Sequence, residues 1–184
     1  MTTYIALLRG INVGGNNKVP MKDLSAVFQS VGCVEVRTYI QSGNVVFACA
    51  RVESELRVEL ETRIRERFGF AVPVVLRSAE ELRPVPGANP FPEAESGVMF
   101  LADPPTPEGV AKLDPNRSPG DSFVVHGREV YLHLPNGFAN TKFTNAYLDS
   151  KLSTVSTGRN LRTVAKLIEM AHEIDTIEKV HPCP

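Results

Sequence analysis

The chain has 184 residues, 42% of them hydrophobic and 22% charged, with a formal net charge of −1. That length supports one domain or two small ones with a real core, and so neutral a balance supplies no global field to draw in nucleic acid or an anionic membrane, so any anion site has to be local. Cys33, Cys49 and Cys183 are odd in number and make no C-x-x-C pair, which argues against a disulfide framework or a zinc site and for reduced thiols in a cytoplasm.

Residues 3–9 read as a buried strand that runs into the glycine-rich stretch Arg9-Gly-Ile-Asn-Val-Gly-Gly-Asn-Asn-Lys18. Pro20 then stands at the first turn of a helix with Leu24, Val27, Phe28 and Val31 at helical spacing, and Gly32 ends it. Residues 35–40 and 44–49 are β-rich runs about Gln41-Ser42-Gly43, expected to form a hairpin with a tight turn at Ser42-Gly43. Side-chain alternation puts Val36, Thr38, Ile40, Val45, Phe47 and Cys49 on one face, and Arg37, Tyr39, Gln41, Asn44 and Val46 on the other. Residues 53–68 follow as a charged helix with Leu56, Leu60 and Ile64 on its apolar stripe and Glu59/Arg63 and Glu61/Arg65 at i,i+4 spacing. A strand at 72–77 completes the order βαββαβ, a ferredoxin-like unit whose antiparallel sheet carries both helices on one face and leaves the other open.

A short helical piece at 79–82 precedes the Pro/Gly-rich segment 84–92. Beyond it come a strand at 97–102, a short helix at 107–113, a loop at 114–120 and a hairpin of 122–126 with 129–134 about Gly127-Arg128. Phe123, Val125, Val130, Leu132 and Leu134 share the core face of that hairpin. A helix at 145–152, an extended piece near Val155 and a helix at 160–171 repeat the first half's order. The expected fold is therefore α+β: two consecutive ferredoxin-like halves with antiparallel sheets and helices packed on one face. The expected domains are 1–83, a linker at 84–96, and 97–184 with the terminal helix, whose last residues around His181 should fray.

The glycine loop offers positive-φ backbone and close approach at Gly14 and Gly15, with donors from Arg9, Asn12, Asn16 and Lys18. One reading is an anion cradle at a helix entrance; the other is a long connection that needs glycines for its geometry. It is neither a P-loop, since Asn16 stands where the lysine belongs, nor G-x-G-x-x-G. Gln41 to Asn44 reads first as a hairpin turn and second as a place where Gln41 and Asn44 hydrogen-bond a ligand. Lys142, in Asn136-Gly-Phe-Ala-Asn-Thr-Lys142 with Asn145 and Lys151 beyond it, and Arg159, before a capping Asn160, lie at two more expected helix entrances. His126 and His133 fall two cross-strand pairs apart, too far to share one metal ion, and no nucleophile-base order or acidic pair designates a catalytic residue.

Ala6-Leu-Leu-Arg-Gly-Ile-Asn-Val-Gly-Gly15 with Asn17-Lys18, Thr38-Tyr-Ile-Gln-Ser-Gly-Asn-Val45, Pro135-Asn-Gly-Phe138 and the stretch from Thr157 to Leu167 resemble the signature blocks of the DUF1697 family. The resemblance implies a two-part α+β fold of ferredoxin-like character and a function not determined for the family. It carries over no catalytic residues. Gly158 and Leu161-Arg162 depart from the family pattern, in which an arginine and a pair containing an aromatic residue are usual.

The function expected is binding of a small anionic, phosphate-bearing ligand. Arg9, Lys18, Lys142 and Arg159 would neutralise its charge, and Asn12, Asn16, Gln41 and Asn44 would orient it. No cofactor, metal or membrane partner is expected. The alternatives are an enzyme acting on that ligand, with Lys18 or Arg159 stabilising developing charge, and a single-stranded nucleic-acid or protein-interaction module on an open sheet face. Near-neutral charge and a single well-placed aromatic, Tyr39, weigh against nucleic acid.

Overall fold

The computed structural model describes residues 1–180, so the expected fraying around His181 lies outside the described residues. The elements are β1 (Thr2–Leu8), α1 (Met21–Ser30), β2 (Val34–Tyr39), β3 (Asn44–Cys49), α2 (Glu53–Phe68), β4 (Val74–Ser78), α3 (Ala79–Leu82) and α4 (Val85–Ala88). After a 3-10 turn at Glu93–Glu95 come β5 (Ser96–Leu101), α5 (Pro107–Ala111), β6 (Ser122–His126), β7 (Glu129–His133), α6 (Asn145–Leu152), β8 (Ser156–Asn160) and α7 (Leu161–Val180). The strands form two antiparallel sheets of identical order, β2-β3-β1-β4 and β6-β7-β5-β8. The fold is thus α+β with two repeated ferredoxin-like halves. Compact units comprise Met1–Arg83 with the chain from Ala165 onward, and Pro84–Val164. The distal part of α7 therefore groups with the first unit, although the order of elements assigns it to the second half.

In the first unit, α1 and α2 bury Leu24, Val27, Phe28, Leu56, Leu60 and Ile64 against Tyr4, Ala6, Leu8, Val45, Phe47 and Leu76 of one sheet face. The α2 backbone stops at Gly69, whose N–H donates to the Arg65 carbonyl at 2.9 Å. Arg63 pairs with Glu59 at 3.5 Å as its spacing predicts, but Glu61 turns from Arg65 to accept the Val74 N–H at 3.0 Å, fixing the start of β4. A capping box, Ser78 with Glu81, starts α3.

The opposite face of this sheet is not open. Ile5, Leu7, Val46, Ala48, Val75 and Arg77 are all at most 1% exposed. β1 reads Thr-Thr-Tyr-Ile-Ala-Leu-Leu, apolar on both alternations from Tyr4 onward, which is the pattern of a strand covered on both sides rather than of a half-solvated one. The distal part of α7 belongs with this face: Glu173 accepts from Arg37 of β2 at 2.7 Å, while Asp175 pairs with Arg83 after α3. Leu167, Met170, Ala171 and Ile174 of the same helix are buried. The expected open face is therefore covered over β1, β3 and β4, while β2 stays half-exposed at the sheet edge.

In the second unit Met99, Leu101, Val130, Leu132 and Leu134 pack with Phe143, Tyr147, Leu148 and Leu152, and Phe123 and Val125 join them as their alternation predicts. The stretch 156–160 is a full strand rather than a loop with a brief extended piece: β8 pairs with β5 from Leu101↔Ser156 to Gly97↔Asn160. Its Ser-Thr-Gly-Arg-Asn composition hides it, because strand propensity there is overridden by pairing with a central apolar strand. Asn160 caps α7 as expected, its Oδ1 accepting the Thr163 N–H at 2.8 Å.

Candidate functional site

The loop after β1 folds back on itself as a small β-finger. Asn16 N–H donates to the Val13 carbonyl and Asn12 N–H to the Asn17 carbonyl, both at 3.0 Å. Between them Gly14 and Gly15 take φ of 57° and 79°, the two positive values that a type I′ turn requires. The glycines thus make the finger's tip, with four residues between Gly15 and the Pro20 cap of α1, rather than lining that helix's N-terminus. Asn12 and Asn17 adopt left-handed backbone, which asparagine tolerates, and their amides fasten the base. Asn12 Nδ2 donates to the Val19 carbonyl at 3.0 Å and its Oδ1 accepts the Val19 N–H at 2.8 Å, while Asn17 Nδ2 donates to the Gly10 carbonyl at 2.9 Å.

The first hairpin's turn joins this finger. The register Tyr39↔Asn44 leaves a four-residue loop, 40–43, where the sequence suggested a two-residue turn at Ser42-Gly43. Ile40 consequently sits at φ 48° and half in solvent, off the core face. A β-branched residue in the left-handed region costs roughly 1–2 kcal/mol. A bulge between Val34 and Arg37, with Glu35 at φ 51°, absorbs the register shift, and Arg37↔Val46 and Thr38↔Val45 keep the expected faces. Asn12 Nδ2 also donates to the Gln41 carbonyl at 2.8 Å, and Leu8 N–H donates to the Gly43 carbonyl at 2.8 Å. Asn44 is fully buried and donates to the Tyr39 carbonyl and Ser42 Oγ, so it holds the turn.

Asn12, Gly14, Gly15, Asn16, Gln41 and Asn44 are thus gathered in one hydrogen-bonded platform of the first unit, with Lys18 at the finger's base, whereas the Arg9 N–H donates to the Pro73 carbonyl before β4 at 3.1 Å. Asn12 and Asn44 are spent on its construction. Asn16, Lys18 and Gln41 are exposed, and Val13 at 65% and Ile40 at 52% present apolar side chains beside them.

The second unit holds the other two candidates. Arg159 stands directly before Asn160, the cap of α7, as expected, but its side chain is in the interior: it lies on β8 opposite Val98, is 9% exposed, and donates to Thr157 Oγ1 at 2.9 Å and the Gly158 carbonyl at 2.7 Å. Burial pushes its guanidinium down to about 10, so it stays charged at neutral pH. Arg77, opposite Ile5 on β4, is its counterpart in the first sheet, equally sequestered and equally one residue before a helix cap. That shared position points to a part of the repeated architecture.

Lys142 is exposed in the loop before Thr144, the N-cap of α6. Its carbonyl accepts Arg117 Nε at 2.8 Å, and the Arg117 guanidinium carbon lies 3.9 Å from the Tyr147 ring centroid. Sequence reasoning passed over Arg117, because the residues that position it are about 25–30 positions away along the chain and leave no local signal.

Among the described residues, no three His, Cys, Asp or Glu side chains gather to hold a metal ion, and no helix is long and apolar enough to cross a membrane. His133 lies 2.8 Å from Glu95 and stacks on Phe91, while the register places His126 opposite Glu129 at the far end of the hairpin. Cys33 and Cys49 are free, buried thiols.

A conserved bacterial protein, SP0830 from Streptococcus pneumoniae, has a solved structure similar to this chain, with a TM-score of 0.74 and 24% identity over 94% of this chain and 99% of that one. At that identity the likeness shows the fold. A comparison with curated proteins gives no match. The profile of the family described as "Protein of unknown function (DUF1697)" matches residues 1–131, which contain the whole finger and turn platform. With that match over more than two thirds of its length, the chain belongs to the DUF1697 family.

Proposed function

We propose that the protein binds a small anionic, phosphate-bearing ligand at the finger and turn platform of the first unit. The observation that carries this reading is the stapling, by Asn12, of the finger to the strained turn at Ile40, which makes one fixed surface and leaves Lys18, Asn16 and Gln41 in solvent. Fixing loops that carry their own strain costs stability, and binding surfaces are where such strain collects. Lys18 and Arg9 supply charge, and Asn16 and Gln41 supply neutral donors and acceptors. Val13 and Ile40 give the ligand's uncharged part an apolar contact. The free thiols of Cys33 and Cys49 support a reducing compartment, and with it a cytoplasmic protein.

Native mass spectrometry of the protein purified from its own cytosol tests the reading. The expected result is a retained phosphate-bearing compound, lost from Lys18→Ala and weakened in Arg9→Ala. Retention of the compound by both variants refutes the site.

A further inference from the structure

Two cations of the second unit lie over one aromatic ring, and the backbone of a third basic residue anchors one of them. The Arg117 guanidinium carbon lies 3.9 Å from the Tyr147 centroid, Lys151 Nζ is 5.9 Å from the same centroid, and the Lys142 backbone carbonyl accepts from Arg117 Nε. The ring is itself immobilised. It is 7% exposed, tilts against Phe143 at 6.2 Å, and its hydroxyl accepts the Asp114 N–H at 2.8 Å. Lys142 N–H donates to Ser118 Oγ at 3.0 Å, which holds the two loops together.

No carboxylate neutralises the group. Among the described residues Arg117, Lys142 and Lys151 make no ion pair. The carboxylates closest to them in sequence are engaged with neutral donors: Asp114 with the Asn116 N–H, Asp121 with the Ser118 hydroxyl, and Asp149 with the Ser156 N–H and hydroxyl. Arg117 spends its Nε on Lys142, so its two terminal amino groups have no partner among the described residues. A guanidinium held over a ring with its Nε bonded to a carbonyl has already lost much of its rotamer freedom, and its terminal amino groups can donate to two oxygens of one anion. The Lys151 ammonium over the same ring, and the exposed Lys142 whose backbone anchors Arg117, add positive charge that favours a dianion over a carboxylate.

We propose that Arg117, held over the Tyr147 ring with Lys151 and anchored on the Lys142 carbonyl, forms an oxyanion site that takes the dianionic phosphate of a small phosphomonoester. This proposal rests on residues of the second unit alone and uses none of the finger platform's.

The test is a titration of the full-length protein with inorganic phosphate and with phenyl phosphate at low salt, with acetate as the monoanion control. Binding is read from the Arg117 Nε–Hε NMR resonance, assigned by its loss in Arg117→Lys. A saturable shift with both phosphates is expected, with acetate roughly tenfold weaker or more. Arg117→Lys keeps the charge but loses the fork and the stack, so binding, followed by backbone resonances of 114–118 and 142–147, should weaken by about tenfold. Lys142→Ala with Lys151→Ala should weaken it and reduce its salt dependence, and Lys18→Ala should leave it unchanged. No saturation with either phosphate in the wild-type protein, equal response to acetate, or wild-type affinity in Arg117→Lys each overturns the proposal. A shift abolished by Lys18→Ala overturns it too, by assigning the anion to the finger.

Discussion

Gly43→Ala tests whether the turn and the finger are one packed object. Gly43 has φ 82°, and a Cβ there would lie 2.7 Å from Leu8 Cβ and 3.1 Å from Ile11 Cδ1. Leu8 Cβ cannot withdraw without moving β1, whose N–H at Leu8 bonds the Gly43 carbonyl. Left-handed strain of about 1–2 kcal/mol and an overpacking cost of about 1–3 kcal/mol together predict a loss of roughly 2–5 kcal/mol. Gly15→Ala is the control, because Gly15 has a similar φ of 79° with nothing within 4 Å of its would-be Cβ, leaving strain alone at about 1–2 kcal/mol. Urea unfolding of both variants, with unchanged m-values, should give Gly43→Ala the lower midpoint by the packing difference. Equal midpoints would refute the reasoning, since the turn would then yield without disturbing β1.

The Phe138 ring rests on a floor of two glycines, its Cζ 2.2 Å from a would-be Cβ of Gly97 and its Cε1 2.9 Å from that of Gly158; Gly97→Ala should therefore destabilise the wild type but scarcely affect Phe138→Ala, a coupling of about 1 kcal/mol in a double-mutant cycle. Burial pushes the Tyr131 phenol from 10.0 up to about 12. Stability from this group is complete below pH 10 and is lost as pH climbs through about 12, so Tyr131→Phe should flatten that decline in an alkaline unfolding series. Cys33 and Cys49 are at most 3% exposed, and burial raises the Cys33 thiol pKa, so a thiol reagent should label both at the rate of unfolding, not of diffusion; labelling faster than unfolding would contradict their burial.

Periodicity alone determined most elements of this protein. The i, i+4 stripe of Leu56, Leu60 and Ile64, the Gly69 stop, and the alternation of Phe123, Val125, Val130 and Leu132 are local patterns, and each element they predict is present. The pairs Gln41 with Asn44 and Asn12 with Asn17 were legible as loop residues because asparagine and glycine write backbone geometry directly into sequence.

What tertiary structure alone decided were the partners. Ser156–Asn160 becomes a strand because β5 offers its edge, and the second face of the first sheet is buried although nothing in β2 or β3 names what covers it. Asn12 could have faced a ligand; its distance from Gln41, 29 residues along the chain but 2.8 Å in space, turned it into a staple. Arg159 could have met solvent at a helix entrance, and pairing with Val98 placed it in the interior. Arg117 meets Tyr147 across thirty positions for the same reason: which side chains touch depends on chain closure and packing, and these leave no period for a sequence to display.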